Sequence, residues 1–175
     1  LYYNSRSHWN AKKPPLRRRE AWSADGGETW TGWRIVDILP DGPQDTNYGC
    51  FAGLVRLPIA GRDILLYSNC DSTAGRKLGT VWVSFDGAKT WPLKRLVWKG
   101  PFQYSSLSAG RPDTASEGWI YLHFEGHLPQ TRIARFNLAW LLGGKPTGDG
   151  EVPIKPTADQ SPRSSVKNEP RQPKN

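Results

Sequence analysis

Ser23-Ala24-Asp25-Gly26-Gly27-Glu28-Thr29-Trp30 recurs 61 residues on as Ser84-Phe85-Asp86-Gly87-Ala88-Lys89-Thr90-Trp91. The pattern S-x-D-x-G-x-T-W describes a turn. An Asp side chain accepts bonds from backbone N–H groups of its own turn, and the following Gly supplies a positive φ. Thr and Trp then fasten the turn to the adjacent strand, with the indole covering the sheet edge. Nothing in the motif is nucleophilic, so its role is architectural.

Working outward, a second set of segments keeps similar time: LYYNSR at 1–6, LLYSNC at 65–70 and IYLHFE at 120–125. A repeat near 60 residues with about four strands is what radially arranged four-stranded sheets give. The chain between is rich in β-branched and aromatic residues, in short runs cut by Gly, Pro, Asp and Asn. The runs predict strands at 17–22, 33–39, 51–57, 62–68, 79–84, 94–98, 104–109, 118–124 and 130–136, with 1–4 ending another. Only 137–142 (NLAWLL) predicts a helical turn, and no window sustains a 3.6-residue period. The fold class is all-β.

Composition sets further bounds. The 175 residues carry a formal charge of +8. No apolar run is long enough for a membrane-spanning helix. Two cysteines, Cys50 and Cys70, make no disulfide framework and no zinc-ligand spacing, and they leave the compartment open. The chain begins at Leu1 without a signal segment, and so reads as processed or as part of something longer. Residues 143–175 hold six Pro and no aromatic, which predicts a disordered tail after a folded region 1–142. Five positive residues cluster at Lys12, Lys13, Arg17, Arg18 and Arg19. Such a run can bind polyanions. No nucleic-acid motif accompanies it, and it reads as a solvated loop entering a strand.

The repeated turn is the Asp-box, and its surroundings resemble bacterial-type sialidases (neuraminidases). Asn4-Ser5-Arg6 is similar to the segment carrying the second arginine of that family's substrate-binding triad. Leu65-Leu66-Tyr67-Ser68-Asn69, Gly75-Arg76 and the second box resemble the segment carrying the third. Gln103-Tyr104-Ser105-Ser106-Leu107 looks like the motif around the tyrosine nucleophile. Tyr121-Leu122-His123-Phe124-Glu125 is similar to the segment whose glutamate steadies the first arginine. Ile133 to Trp140 resembles a closing segment. Departures are Ala88 in place of the box Gly, Cys70 in place of a usual Pro, and a separation of 21 positions from Tyr104 to Glu125. The last predicts a long hairpin around Arg111-Pro112-Asp113 beside the site.

The resemblance implies part of a six-bladed β-propeller, two to three four-stranded blades over 1–142, with a sialylated glycan as partner. It implies an exo-α-sialidase that retains configuration, with Tyr104 as nucleophile and Arg6 and Arg76 on the substrate carboxylate. Glu125 has two readings, base or support for an arginine, and the resemblance favours the second. The family's first arginine, its aspartate acid/base and the glutamate activating the tyrosine precede the matched region, so this chain alone is expected to be inactive. The residue types suit the task. Guanidinium forks bind carboxylates bidentately, which lysine cannot do. A neutral phenol approaches an anomeric carbon that already bears a carboxylate without the Coulombic cost a carboxylate nucleophile would meet. A free phenol ionises near pH ~10, so it needs a nearby base.

Without the resemblance, Tyr104, Tyr48 and Tyr67 are equivalent candidates, and Arg6 and Arg76 are two arginines among many. His123, Glu125 and His127 share a face by alternation, but no further ligand cluster joins them, so neither a metal nor a cofactor is expected. The alternative reading is a non-catalytic Asp-box propeller that binds glycans or protein. A third is a polyanion binder using Lys12 to Arg19.

Overall fold

The computed structural model describes residues 1–6, 15–46 and 49–143. Lys12, Lys13, Tyr48 and the predicted tail beyond Gly143 lie outside the described residues. The described chain forms strands β1 (Tyr2–Ser5), β2 (Arg17–Trp22), β3 (Thr31–Pro40), β4 (Gly53–Arg56) and β5 (Leu65–Cys70). They are followed by β6 (Lys77–Ser84), β7 (Leu93–Pro101), β8 (Ser105–Ala109), β9 (Trp119–Glu125), β10 (Thr131–Asn137) and helix α1 (Leu138–Leu142). Every predicted strand has a counterpart. The segment predicted at 62–68 lies further along because Pro58 to Arg62 forms the hairpin turn, closed by the Leu57 N–H donating to the Ile64 carbonyl at 2.9 Å.

The strands make three antiparallel sheets with sequential neighbours: β1-β2-β3, β4-β5-β6-β7 and β8-β9-β10. Among the described residues only the middle sheet has four strands. Both Asp-boxes occupy the same place, the β2–β3 turn and the β6–β7 turn. The first sheet therefore aligns with strands two to four of a blade. This is the propeller architecture predicted from the repeat.

Side-chain alternation explains the stacking. Successive residues of a strand point to opposite faces. All six residues of β5 are buried, as in a strand covered on both sides. Leu65 and Tyr67 join Trp82, Val36, Leu39 and Trp91 against the first sheet. Leu66 joins Val81, Val83, Phe102, Leu122 and Phe124 against the third. Buried polar groups on β5 are satisfied: Asn69 Nδ2 donates to Tyr67 Oη at 2.7 Å, and Tyr67 Oη donates to the Pro40 carbonyl at 2.6 Å. The outer flanks differ, with Trp33, Ile35 and Ile133 exposed.

Helix α1 is short and capped at both ends. Asn137 Oδ1 accepts from the Trp140 N–H at 2.8 Å, and Gly143 closes it at φ 59°.

Candidate functional site

Arg6 follows β1 and Arg76 follows β5, each just past the second strand of its sheet by the alignment above. Tyr104 immediately precedes β8, and Gly49 to Phe51 lead into β4. These segments converge. The guanidinium carbon of Arg76 lies 5.2 Å from the Tyr104 ring centroid and that of Arg6 5.9 Å. Arg6 Nη1 donates to Tyr104 Oη and to the Gly49 carbonyl, both at 3.4 Å. Arg76 Nη1 donates to Gln103 Oε1 at 3.1 Å. Among the described residues neither guanidinium has a carboxylate partner. Tyr104 is 38% exposed, with Phe51 edge-on at 6.3 Å. Two cations thus flank one accessible phenol, with no carboxylate among the described residues paired to either.

The backbone around them is tightly held. The Phe102 N–H donates to the Arg76 carbonyl at 2.9 Å, and the buried Phe102 ring stacks on Phe124 at 4.7 Å. Gly79 makes this fit, since a Cβ there would lie 2.0 Å from the Phe102 ring. The Gln103 N–H donates to the Glu125 carbonyl, and the Glu125 N–H donates back to Tyr104. The 20 intervening residues therefore fold back as one hairpin, with Ser105 opposite Phe124. The same register corrects one expectation. Ala109 pairs with Ile120. The connection holding Arg111, Pro112 and Asp113 therefore lies at the opposite end of the hairpin from Tyr104, not beside the site.

Glu125 is half-buried at the end of β9. It joins the site through its backbone, and among the described residues its carboxylate has no cationic partner. His123 is exposed on the same strand. No group of three potential metal ligands occurs among the described residues. Tyr67, one of the alternative tyrosines, is fully buried, and its hydroxyl is committed to Pro40. Burial raises its ionisation well above that of an ordinary phenol, with the nearby Arg18 charge opposing.

Arg18 is a second correction. It reads in sequence as part of a solvated basic run, yet it is only 5% exposed and pairs with buried Asp41 at 2.8 Å. Its Nε donates to Asn4 Oδ1 at 2.7 Å and its Nη1 to the Cys50 carbonyl at 3.3 Å. One buried guanidinium therefore anchors both the Asn4-Ser5-Arg6 segment and the Gly49 to Phe51 segment. Its strand position between Arg17 and Arg19 was the available signal, because β2 residues must alternate. Cys50 and Cys70 are free and buried, their sulfurs 3.9 Å apart. The Cys70 thiol is pushed up by its bond to Cys50 and by burial.

Known proteins resemble this chain in sequence and fold. The chain is 35% identical over 128 residues to a sialidase of Micromonospora viridifaciens, covering 72% of this chain and 18% of that protein. The chain thus spans less than a fifth of that relative's length. It superposes on the leech intramolecular trans-sialidase, solved with 2,7-anhydro-Neu5Ac, with a TM-score of 0.62 at 23% identity, covering 82% of this chain and 22% of that one. A Hadza microbial sialidase gives 0.55 at 27% identity over 71% of this chain and 24% of its own. No family model matches.

Proposed function

This chain belongs to the bacterial sialidase family, and from that premise we propose that it carries the carboxylate clamp and the nucleophile of a retaining exo-α-sialidase. The supporting observation is the pair of guanidinium groups, without carboxylate partners among the described residues, that flanks the accessible Tyr104 phenol. Arg6 and Arg76 bind the carboxylate of a terminal sialic acid. That fixes the anomeric carbon over Tyr104 Oη. The phenol oxygen attacks as its proton passes to a base, the bond to the aglycone breaks, and the leaving oxygen is protonated by an acid. Water then attacks from the face the aglycone left, losing a proton to the conjugate base of that acid, and the tyrosine oxygen departs and regains its proton, so configuration is retained.

Arg6 Nη1, as a donor to Tyr104 Oη, stabilises the phenolate that develops during attack. The partial exposure of Tyr104 leaves room for the sugar. The leaving-group acid and the base that activates the tyrosine are proposed to come from sequence outside residues 1–175. Glu125 is proposed as a support for an arginine supplied from there.

In the full polypeptide, Tyr104→Phe is expected to lower turnover of a fluorogenic sialoside on the order of a thousandfold or more while sialic acid still binds. Arg76→Lys is expected to weaken sialic acid binding by about tenfold or more, and binding of its methyl ester far less. Wild-type kinetics for either variant would refute the site. A full polypeptide that binds sialic acid without turnover would leave a glycan-binding module instead. Turnover by the 175-residue chain alone would contradict the external acid and base.

A further inference from the structure

Gln103 is bonded through its backbone N–H and both ends of its side-chain amide, and nothing in the proposed chemistry uses it. Its N–H donates to the Glu125 carbonyl at 2.9 Å. Its Nε2 donates to the Gly126 carbonyl at 2.8 Å, and its Oε1 accepts from Arg76 Nη1 at 3.1 Å. An amide has one acceptor end and one donor end. With the donor end committed to a carbonyl, the oxygen can face only the guanidinium. The neighbouring Phe102 N–H holds the Arg76 carbonyl. Arg76, which comes from the middle sheet, is therefore gripped at its backbone and at its side chain by two consecutive residues leading into the third sheet.

We propose that Gln103 is the positioning residue of the anion clamp: it aims Arg76 across the Tyr104 ring while leaving its charge intact for the ligand. This rests on the carboxylate-binding reading above. The choice of a neutral acceptor is the physical core of the argument. A carboxylate at this position would hold the guanidinium as firmly, but would compete with the ligand's carboxylate for it. The amide occupies one guanidinium nitrogen of Arg76 and leaves the rest of the fork free for a bidentate anion. Alone, Arg76 would sample many rotamers, and binding would carry the entropy of ordering them.

Two variants test this in the full polypeptide, with sialic acid and its methyl ester as probes. Gln103→Met keeps the volume and removes both side-chain bonds. It is expected to raise KM and weaken sialic acid binding about fivefold to tenfold, with ester binding and kcat changed less. Gln103→Glu keeps an acceptor facing Arg76 and adds a charge. It is expected to weaken sialic acid binding by more than tenfold at pH 7 and to recover as pH falls through the range of an ordinary carboxyl, about 4–5, where the new group is neutralised. The wild type is expected to show no such recovery. Combining Gln103→Met with Arg76→Lys is expected to cost no more than Arg76→Lys alone, since the first change acts through the second residue.

Fully additive effects, or equal losses for acid and ester, would overturn the inference and leave Gln103 as a structural residue. A pH-independent Gln103→Glu would overturn it too. If Arg76→Lys weakens acid binding while both Gln103 variants bind like wild type, the inference fails and the clamp stands. If Arg76→Lys is also silent, the clamp itself fails.

Discussion

The two Asp-box turns share their Ser, Asp and Thr bonds in different surroundings. In the first, Thr29 N and Oγ1 both donate to Asp25, and Gly27 N donates to Ser23 Oγ at 2.8 Å. In the second, Thr90 N and Oγ1 donate to Asp86, and Ala88 N donates to Ser84 Oγ at 2.9 Å. Beyond this shared skeleton they part. Trp30 is half-buried and touches Tyr3 at the open face of the first sheet. Trp91 is 3% exposed and packs on Tyr67 between two sheets. The second box also receives the first sheet: Trp22 Nε1 donates to the Gly87 carbonyl at 3.3 Å and Arg34 Nη2 to the Lys89 carbonyl at 3.0 Å. Local sequence sets the turn, and among the described residues the second turn is also the joint between two sheets.

The largest expected effect follows from that difference. Trp91→Ala opens a cavity in the core shared by the first two sheets and is expected to destabilise by about 3–5 kcal/mol. Trp30→Ala removes a partly solvated ring and one bond to the Gly27 carbonyl, at about 1 kcal/mol. Urea unfolding followed by near-UV circular dichroism reads both, and equal losses would erase the distinction between rim and joint.

Next come the carboxylates. Bonds from Thr29 and Ser23 hold the Asp25 carboxyl far below the ordinary range. For Asp86, burial pushes upward, but the bonds from Thr90 and Ser84 outweigh it and the net shift is downward. Both folded values lie below the unfolded ones. Their stabilisation is therefore complete above the unfolded carboxyl pKa of about 4 and is lost as pH falls through the lower folded values. Asp86→Asn is expected to cost about 1.5 kcal/mol at pH 7 and to flatten the loss of stability below pH 4. Asp25→Asn is expected to flatten the same limb with a smaller cost at pH 7, because among the described residues that turn joins no second sheet. Thermal melts across pH 2–7 decide it. An Asp86→Asn protein as acid-sensitive as the wild type would show that the turn carboxylates do not govern acid unfolding.

What was legible in the sequence divides along the same line. The Asp-boxes and the strand runs are local patterns, and they placed Arg6 and Arg76 at equivalent points of successive repeats. The family resemblance singled out Tyr104, and the fold brings all three together. Long-range facts stayed hidden. The inward turn of Arg18 depends on Asp41, a residue 23 positions away. The end of the β8–β9 hairpin on which Arg111 to Asp113 fall depends on register. Gln103 stood inside a quoted motif, but an amide announces nothing until its partners are fixed.

The smallest effect is the most exacting test of the comparison. Ala88 stands where the first box has Gly27, and it keeps the positive φ of that position, 72° against 107°. A left-handed alanine costs roughly 1–2 kcal/mol relative to the right-handed region. Its methyl group, however, is fully buried against the cluster holding Trp91. Burial of one methyl returns about 0.8 kcal/mol, and glycine would add disorder to the unfolded chain worth about 0.4–1 kcal/mol. These terms nearly cancel, so Ala88→Gly is expected to shift stability by less than about 1 kcal/mol in either direction. In the first box Gly27→Ala meets the same backbone cost without the core around it, since its Cβ would touch only Leu1 and Trp30 at 3.4 Å and 3.8 Å. That change is expected to destabilise. If Ala88→Gly strongly destabilises instead, packing rather than backbone conformation holds the second turn, and the shared hydrogen bonds follow from the core rather than creating the place where it forms.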